Sequence, residues 1–205
     1  MHPKVLSSEA WRIIRKLVSA DLVAPWVLGG GTGLALQFGH RYSEDLDFFG
    51  SDPFDPDRIA ADLSRIGTTS IQSRSADILH VSVGGLRLSF LRSDPPLLFP
   101  GLAYRGLTVA DPRDIAAMKV IAIGGRGSRK DFVDLYVYLE GGGTLPGVLS
   151  MIATRFARLD YNQYHLLKSL VYFEDAESEP MPRMIRDVDW ETIKATLVDE
   201  VRRLS

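Results

Sequence analysis

The chain has 205 residues, 45% of them hydrophobic, no cysteine and a formal net charge of −2. That length and hydrophobic content fit one compact domain or two small lobes with a sizeable core. The composition excludes disulfides and thiolate metal sites, no run is apolar enough to span a bilayer, and the near-neutral charge leaves no global field for nucleic acid, so any RNA contact has to be local. No basic segment followed by an apolar stretch opens the chain, so no secretory signal is expected, and the lack of cysteine fits a reducing, cytoplasmic compartment.

Ser7 or Ser8 can cap a first helix, on which Trp11, Ile14, Leu17 and Val18 recur at helical spacing. A short apolar strand over 26–28 leads into Gly29-Gly30-Gly31-Thr32-Gly33 and a helix over about 32–38. A second strand, 45–49, carries Asp45 and Asp47. Residues two apart on a strand share a face, so both carboxylates point one way and Leu46 and Phe48 point into a core. Asp55-Pro56 begins a helix that Gly67 ends, and strands follow over 69–74, 78–83 and 86–91. Gly84-Gly85 joins the last two as a tight hairpin.

Beyond Asp94-Pro95-Pro96 the pattern turns helical. Asp111-Pro112 caps a helix to about Ile123, Gly124-Gly125 breaks it, and Ser128 caps the next to about Glu140. Further helical stretches run near 146–157, 162–173 and 190–204, with a proline-interrupted loop over 174–189. The expectation is an α+β chain: a mixed-sheet lobe over 1–107 and a helical lobe over 108–205.

Two adjacent carboxylates repel unless a cation lies between them, which suits Mg²⁺, an ion that takes hard oxygen ligands and shares them with substrate phosphates. Gly30, Gly31 and Thr32 open a helix, where backbone N–H groups favour a phosphate. The plainer reading of the glycines is a strand-to-helix turn, and of the aspartates an alternating edge strand. Arg41 can contact phosphate, whereas Ser43-Glu44 reads as loop solvation. Lys119 lies among apolar helix residues, where it either faces a site or snorkels to solvent. Arg126, Arg129 and Lys130 form a local basic cluster at a helix start, mildly unfavourable against the helix dipole and suited to phosphate. Asp131 fits a capping box with Ser128, and Asp134 can pair with Lys130 one turn away on the helix surface. Lys168 lies on an amphipathic helix, with solvent exposure as the alternative to a site role. The histidines at 2, 40, 80 and 165 share no metal-ligand spacing, although His40 adjoins the loop leading to the aspartates.

The ordered segments Gly-Gly-Thr-Gly-Leu-Ala-Leu (30–36 region), Gly39-His-Arg-Tyr-Ser-Glu-Asp-Leu-Asp-Phe-Phe49, Asp114-Ile-Ala-Ala-Met-Lys119, Lys130-Asp-Phe-Val-Asp134 and Tyr164-His-Leu-Leu-Lys168 resemble the AbiEii-type toxin branch of the polymerase-β-type nucleotidyltransferase superfamily. The resemblance covers most of the chain. It implies the polymerase-β-like fold and transfer of a nucleoside monophosphate from an NTP to an acceptor hydroxyl, at a tRNA 3′ end or on a protein. It also implies Mg²⁺ (or Mn²⁺) as cofactor, held by Asp45 and Asp47, and a cognate antitoxin as partner. Lys119 would meet triphosphate or leaving-group charge. Asp131, ahead of Asp134, would complete the site, with Gly30, Gly31, Thr32, Arg126 and Lys130 binding nucleotide.

The pattern departs at one place. Many enzymes of this superfamily carry a third carboxylate on a later strand, and the matching strand here, Leu86-Arg-Leu-Ser-Phe-Leu91, has Ser89 instead. Ser89 is a poor base and a poor metal ligand. Either one metal suffices with Lys119 and Asp131, or another residue supplies the base, or the chain is a degenerate nucleotide-binding module. The modest acidity also keeps a small-molecule nucleotidyltransferase open, and a contiguous basic groove formed by Arg126, Arg129, Lys130, Arg155, Arg158 and Lys168 beside Asp45 would instead favour RNA.

Overall fold

A computed structural model describes residues 1–157 and 162–204. After a short 3-10 turn at Pro3–Val5, helix α1 (Ser8–Ser19) begins where the Ser7 side chain accepts a hydrogen bond from the Ala10 amide. Strand β1 (Val27–Leu28), helix α2 (Gly30–Phe38), strand β2 (Asp45–Gly50) and helix α3 (Pro56–Ser64) follow, the last capped by Asp55 with Pro56 in its first turn. Strands β3 (Thr69–Ser75), β4 (Ile78–Val83) and β5 (Leu86–Arg92) match the expected set to within a residue. Gly84 and Gly85 both take positive φ, 57° and 85°, as a two-residue hairpin turn requires.

Two further strands are not predicted by the sequence pattern. β6 (Leu102–Tyr104) and β7 (Leu107–Val109) form a hairpin whose turn residues, Arg105 and Gly106, have φ of 51° and 80°. β7 pairs in parallel with β1, so the sheet runs in the order β3-β4-β5-β2-β1-β7-β6 and an expected boundary at 107/108 falls inside its last strand. β2 and β5 are also parallel, and the remaining pairs are antiparallel.

The pleat sorts the sheet's two faces. Leu46, Phe48, Leu79, Val81, Leu88 and Phe90 are at most 1% exposed and pack with Ile14 and Leu17 of α1 and Leu63 of α3. Their neighbours Asp45, Asp47, His80, Arg87 and Ser89 occupy the opposite face.

Helix α4 (Pro112–Arg126) does not stop at Gly124-Gly125 as expected; it runs through both. A Cβ on Gly124 would come within 2.6 Å of Leu166, so glycine here lets another helix approach rather than ending this one. Helices α5 (Arg129–Glu140), α6 (Leu145–Arg155), α7 (Gln163–Ser169), α8 (Glu174–Glu177) and α9 (Trp190–Arg202) complete the chain. α7 is shorter than the stretch expected over 162–173, and α8 is a single turn within the expected loop. A second apolar core joins these helices, with Phe132, Phe173 and Trp190 in mutual ring contact. Leu34 of α2, Ala110 and Ile115 of α4 form a third cluster where helix α2 meets the helical half. Among the described residues, no helix is long and apolar enough to cross a membrane.

Candidate active site

A cleft of about 430 Å³ opens where β2, the start of α2, α4 and α5 converge. Gly31, Thr32, Asp45, Asp47, Lys119, Lys130 and Asp131 line it, as do Arg41, Arg87 and Arg183. Gly30 sits directly behind Asp47, with φ of +57°, and a Cβ there would lie 2.5 Å from Asp47 Oδ2. Gly31 is equally committed: its absent Cβ would lie 1.9 Å from Arg41 Nη2. The glycines therefore do two things, turning the chain and leaving room for two charged side chains.

α2 begins at Gly30 without a side-chain cap, so its first-turn amides lie at the cleft next to the carboxylates. The Thr32 hydroxyl does not point there. It bonds to Ser43 Oγ at 2.6 Å and donates to the Asp45 carbonyl, tying the helix start to β2. Thr32 as a whole is 1% exposed.

Behind the cleft lies a buried charge cluster centred on Asp134, which is fully buried. Arg41 donates from Nε to Asp134 Oδ1 at 2.7 Å and from Nη2 to Oδ2 at 2.8 Å. His40 Nε2 reaches Oδ1 at 2.8 Å, and Lys119 Nζ stands 2.8 Å from Oδ2 and 2.7 Å from Asp131 Oδ1. Burial alone would raise the Asp134 pKa, but Lys119 and Arg41 outweigh it and hold the carboxyl well below its ordinary range. Burial pulls Lys119 downward, and Asp134 and Asp131 together more than reverse this, so it stays a cation. His40 is lowered, chiefly by burial and partly opposed by its bond to Asp134. A neutral His40 donates through Nε2–H, leaving Nδ1 buried with no hydrogen-bond partner among the described residues.

The candidate residues take definite places in the structure. Asp134 does not pair with Lys130 on a helix surface; Lys130 instead stands 3.9 Å from Asp45 Oδ2. Lys119 does not snorkel, being 7% exposed and clamped between two carboxylates. Asp131 satisfies both of its readings at once: Oδ2 accepts from the Ser128 hydroxyl at 2.6 Å and amide at 3.3 Å, while Oδ1 accepts from Lys119. Arg129 turns away, bonding to Ala176 and Glu177 and covering the Trp190 ring. Arg126 is exposed at an adjoining cleft with Ser128, Lys130 and Glu179. Arg155 is buried near Ser93 and Asp114, Lys168 is exposed on α7, and Arg158 lies outside the described residues. Among the described residues these positions are scattered rather than joined in one basic groove, the arrangement that favours a small acceptor over RNA. Instead Arg87, Arg126, Lys130 and Arg183, all exposed, stand around the cleft and its neighbour.

Arg41, His40 and Asp134 form the part of the site that sequence reasoning underrated. One signal was present: Asp131 and Asp134 are three apart on a helix and so share a face, which puts both toward whatever one of them meets.

Oxygen is the donor chemistry on offer for a metal. Among the described residues no group of three or more His, Cys, Asp or Glu side chains gathers in a ligating array. Asp45 and Asp47 alone fit an ion that takes one or two carboxylates and fills its shell with water and substrate phosphate. Arg87 Nε lies 2.6 Å from Asp45 Oδ1 on a side chain 67% exposed.

Residues 12–203 match the family model described as nucleotidyl transferase AbiEii toxin, type IV toxin–antitoxin system. A protein of Aquifex aeolicus strain VF5 is 33% identical over 196 residues, covering 92% of each chain. Among solved structures, the nucleotidyltransferase toxin MenT4 of Mycobacterium tuberculosis H37Rv superposes with a TM-score of 0.61 at 18% identity, over 94% of this chain and 80% of that one. JHP933 of Helicobacter pylori superposes with a TM-score of 0.59 at 18% identity, over 97% and 93%.

Proposed function

Since the chain belongs to the AbiEii nucleotidyltransferase toxin family of type IV toxin–antitoxin systems, we propose that it transfers a nucleoside monophosphate from an NTP, with Mg²⁺ or Mn²⁺, to an acceptor hydroxyl, and releases pyrophosphate. The single observation that carries this reading is the convergence on one cleft of the Asp45/Asp47 pair, the uncapped α2 amides and Lys119.

Each group has a role set by its chemistry. Asp45 and Asp47 would hold the divalent ion. When bound, that ion neutralises charge on the transferred phosphoryl group and the leaving pyrophosphate. The amides of Gly31 and Thr32 receive phosphate oxygens at the positive end of α2. Lys119 is a fixed cation at the cleft wall, and electrostatic stabilisation is strongest where the donor is already positioned and water is excluded. Asp131 and Asp134 orient Lys119, and Lys119 and Arg41 together keep Asp134 ionised. The exposed cations Arg87, Arg126, Lys130 and Arg183 around the cleft and its neighbour suit the phosphates of the nucleotide, and the acceptor, RNA, protein or small molecule, is left to the test.

The test is incubation of the protein with Mg²⁺ and each α-labelled NTP in a cell extract, beside Asp45→Ala. Label on RNA, dependent on Asp45, supports the reading and names the base. Label on protein or on a small molecule keeps the transferase and names that acceptor instead. A second reading, a nucleotide-binding module without transfer, is motivated by Ser89; it predicts Mg²⁺–NTP binding with no label and no pyrophosphate.

A further inference from the structure

Asp47, Ser89 and His80 lie side by side across three strands. Asp47 is the register partner of Ser89 in the β2–β5 ladder, and Ser89 is the register partner of His80 in the β4–β5 ladder. Register partners share a face, so all three side chains rise from the same surface. His80 Nδ1 lies 3.0 Å from Ser89 Oγ. A cleft of about 270 Å³ over this surface is lined by both, and it shares Asp45, Asp47, Arg87 and Lys130 with the cleft described above.

Resting on the transferase reading, we infer that His80 is the general base toward the acceptor hydroxyl, with Ser89 as its positioning residue. The strand position beside Asp47 that lacks a carboxylate is thus answered one strand further out. Ser89 Oγ accepts a hydrogen bond from Nδ1–H, which leaves the lone pair on Nε2 of a ring lining the cleft. As the acceptor oxygen bonds to the α-phosphorus, its proton passes to Nε2. The bond from the α-phosphorus to the bridging oxygen breaks, and pyrophosphate departs with that electron pair. No further reactant is needed.

The surroundings suit a group that must reach substrate. His80 is half-buried. The charged residues sharing its cleft are Asp45, Asp47, Arg87 and Lys130. On the β3 side its register partner is Ser73, with uncharged Gln72 at the cleft, while Arg74 is held by Asp57. The opposite face of β4 is the apolar one, in one cluster with Leu63 of α3. The Ser89 bond holds its ring through Nδ1.

The test uses the full chain, Mg²⁺, α-labelled NTPs and a cell extract as acceptor. His80→Gln is expected to lower kcat by about 10²–10⁴-fold, the usual range for a lost general base, with the NTP Kd unchanged. It should also flatten the acid limb of the rate profile. Ser89→Asp placed in the His80→Gln background is expected to restore transfer, since a carboxylate beside Asp47 can take the same proton. Ring-nitrogen NMR of the metal-free protein should show the Nδ1–H tautomer of His80. An unchanged kcat and pH profile in His80→Gln overturns the inference, as does a fall in rate matched by weakened NTP binding, or an Nε2–H tautomer. If the unaltered protein transfers nothing, the transferase reading falls and takes this inference with it; transfer that needs Asp45 but ignores His80 sinks this inference alone.

Discussion

Arg41 grips Asp134 with two sides of its guanidinium, Nε on one carboxylate oxygen at 2.7 Å and Nη2 on the other at 2.8 Å. The two residues are 93 apart in sequence. The bond ties the loop entering β2, and so the carboxylate pair, to helix α5 of the helical half. Lys119 of α4 closes the same cluster, so three segments meet on one buried carboxylate.

Asp134→Asn is therefore expected to destabilise the fold. It leaves Arg41 and Lys119, both under 10% exposed, without their shared anion. Breaking a buried pair by removing one partner costs roughly 3–5 kcal/mol. Urea unfolding measures this as a lower midpoint, and a midpoint unchanged from the unaltered protein would contradict the clustered geometry.

The same cluster fixes the sign of the pH dependence. His40 has a folded pKa below its ordinary 6.5. The unfolded chain thus binds more protons as pH falls past 6.5, and stability drops with it. Asp134, with a folded pKa well below 3.8, adds a further loss in more acidic solution. Lys119, raised above 10.5, contributes stability that is complete below that value and lost as pH rises through its folded pKa. The urea midpoint should be flat near neutrality and slightly above, and fall on either side. His40→Gln should flatten the first part of the acid slope; an unaltered slope would assign it to other groups.

Gly30→Ala and Gly31→Ala should fail for different reasons. At Gly30 the backbone has φ of +57° and the new methyl meets the Asp47 carboxylate. A left-handed non-glycine residue alone costs of order 1–3 kcal/mol, and displacing Asp47 should weaken Mg²⁺–NTP binding as well. At Gly31 the methyl meets the Arg41 guanidinium, so the main effect should be on stability through Asp134. Isothermal titration beside urea unfolding separates the two. Equal losses of binding and stability in both variants would refute the division.

Lys119→Met keeps the side-chain length and removes the charge. Loss of one preorganised electrostatic group costs about 10²–10³-fold in kcat. Lys119→Arg should not rescue it, because the planar guanidinium cannot replace a compact ammonium held within 2.8 Å of two carboxylates. Full kcat in either variant would remove Lys119 from the mechanism.

The parts of the site legible in the sequence are those whose meaning is local. Asp45 and Asp47 alternate with Leu46 and Phe48, and a strand's period of two turns that spacing into a shared face. Ser7, Asp55, Asp111 and Ser128 mark helix starts because a cap acts on its own next turn. The rest depended on contacts distant in sequence. Nothing local tells that Asp134 meets Arg41 rather than Lys130. His80 gains meaning only from the register that sets it beside Ser89. Gly124-Gly125 looks like a helix end, and only the packing of Leu166 explains why the helix continues. The β6–β7 hairpin was legible in principle, since Arg105-Gly106 sits between alternating residues, but its strands are three residues each and carry little pattern.

The proposed transfer stands or falls with the Asp45/Asp47 pair. The most direct measurement is the rate of pyrophosphate release and of label incorporation from α-labelled NTP in a cell extract with Mg²⁺, for the unaltered protein, Asp45→Asn and Asp47→Asn, each checked by urea unfolding. The unaltered protein should transfer label robustly, and both variants should lose transfer with the fold intact. Full transfer in both folded variants would contradict it.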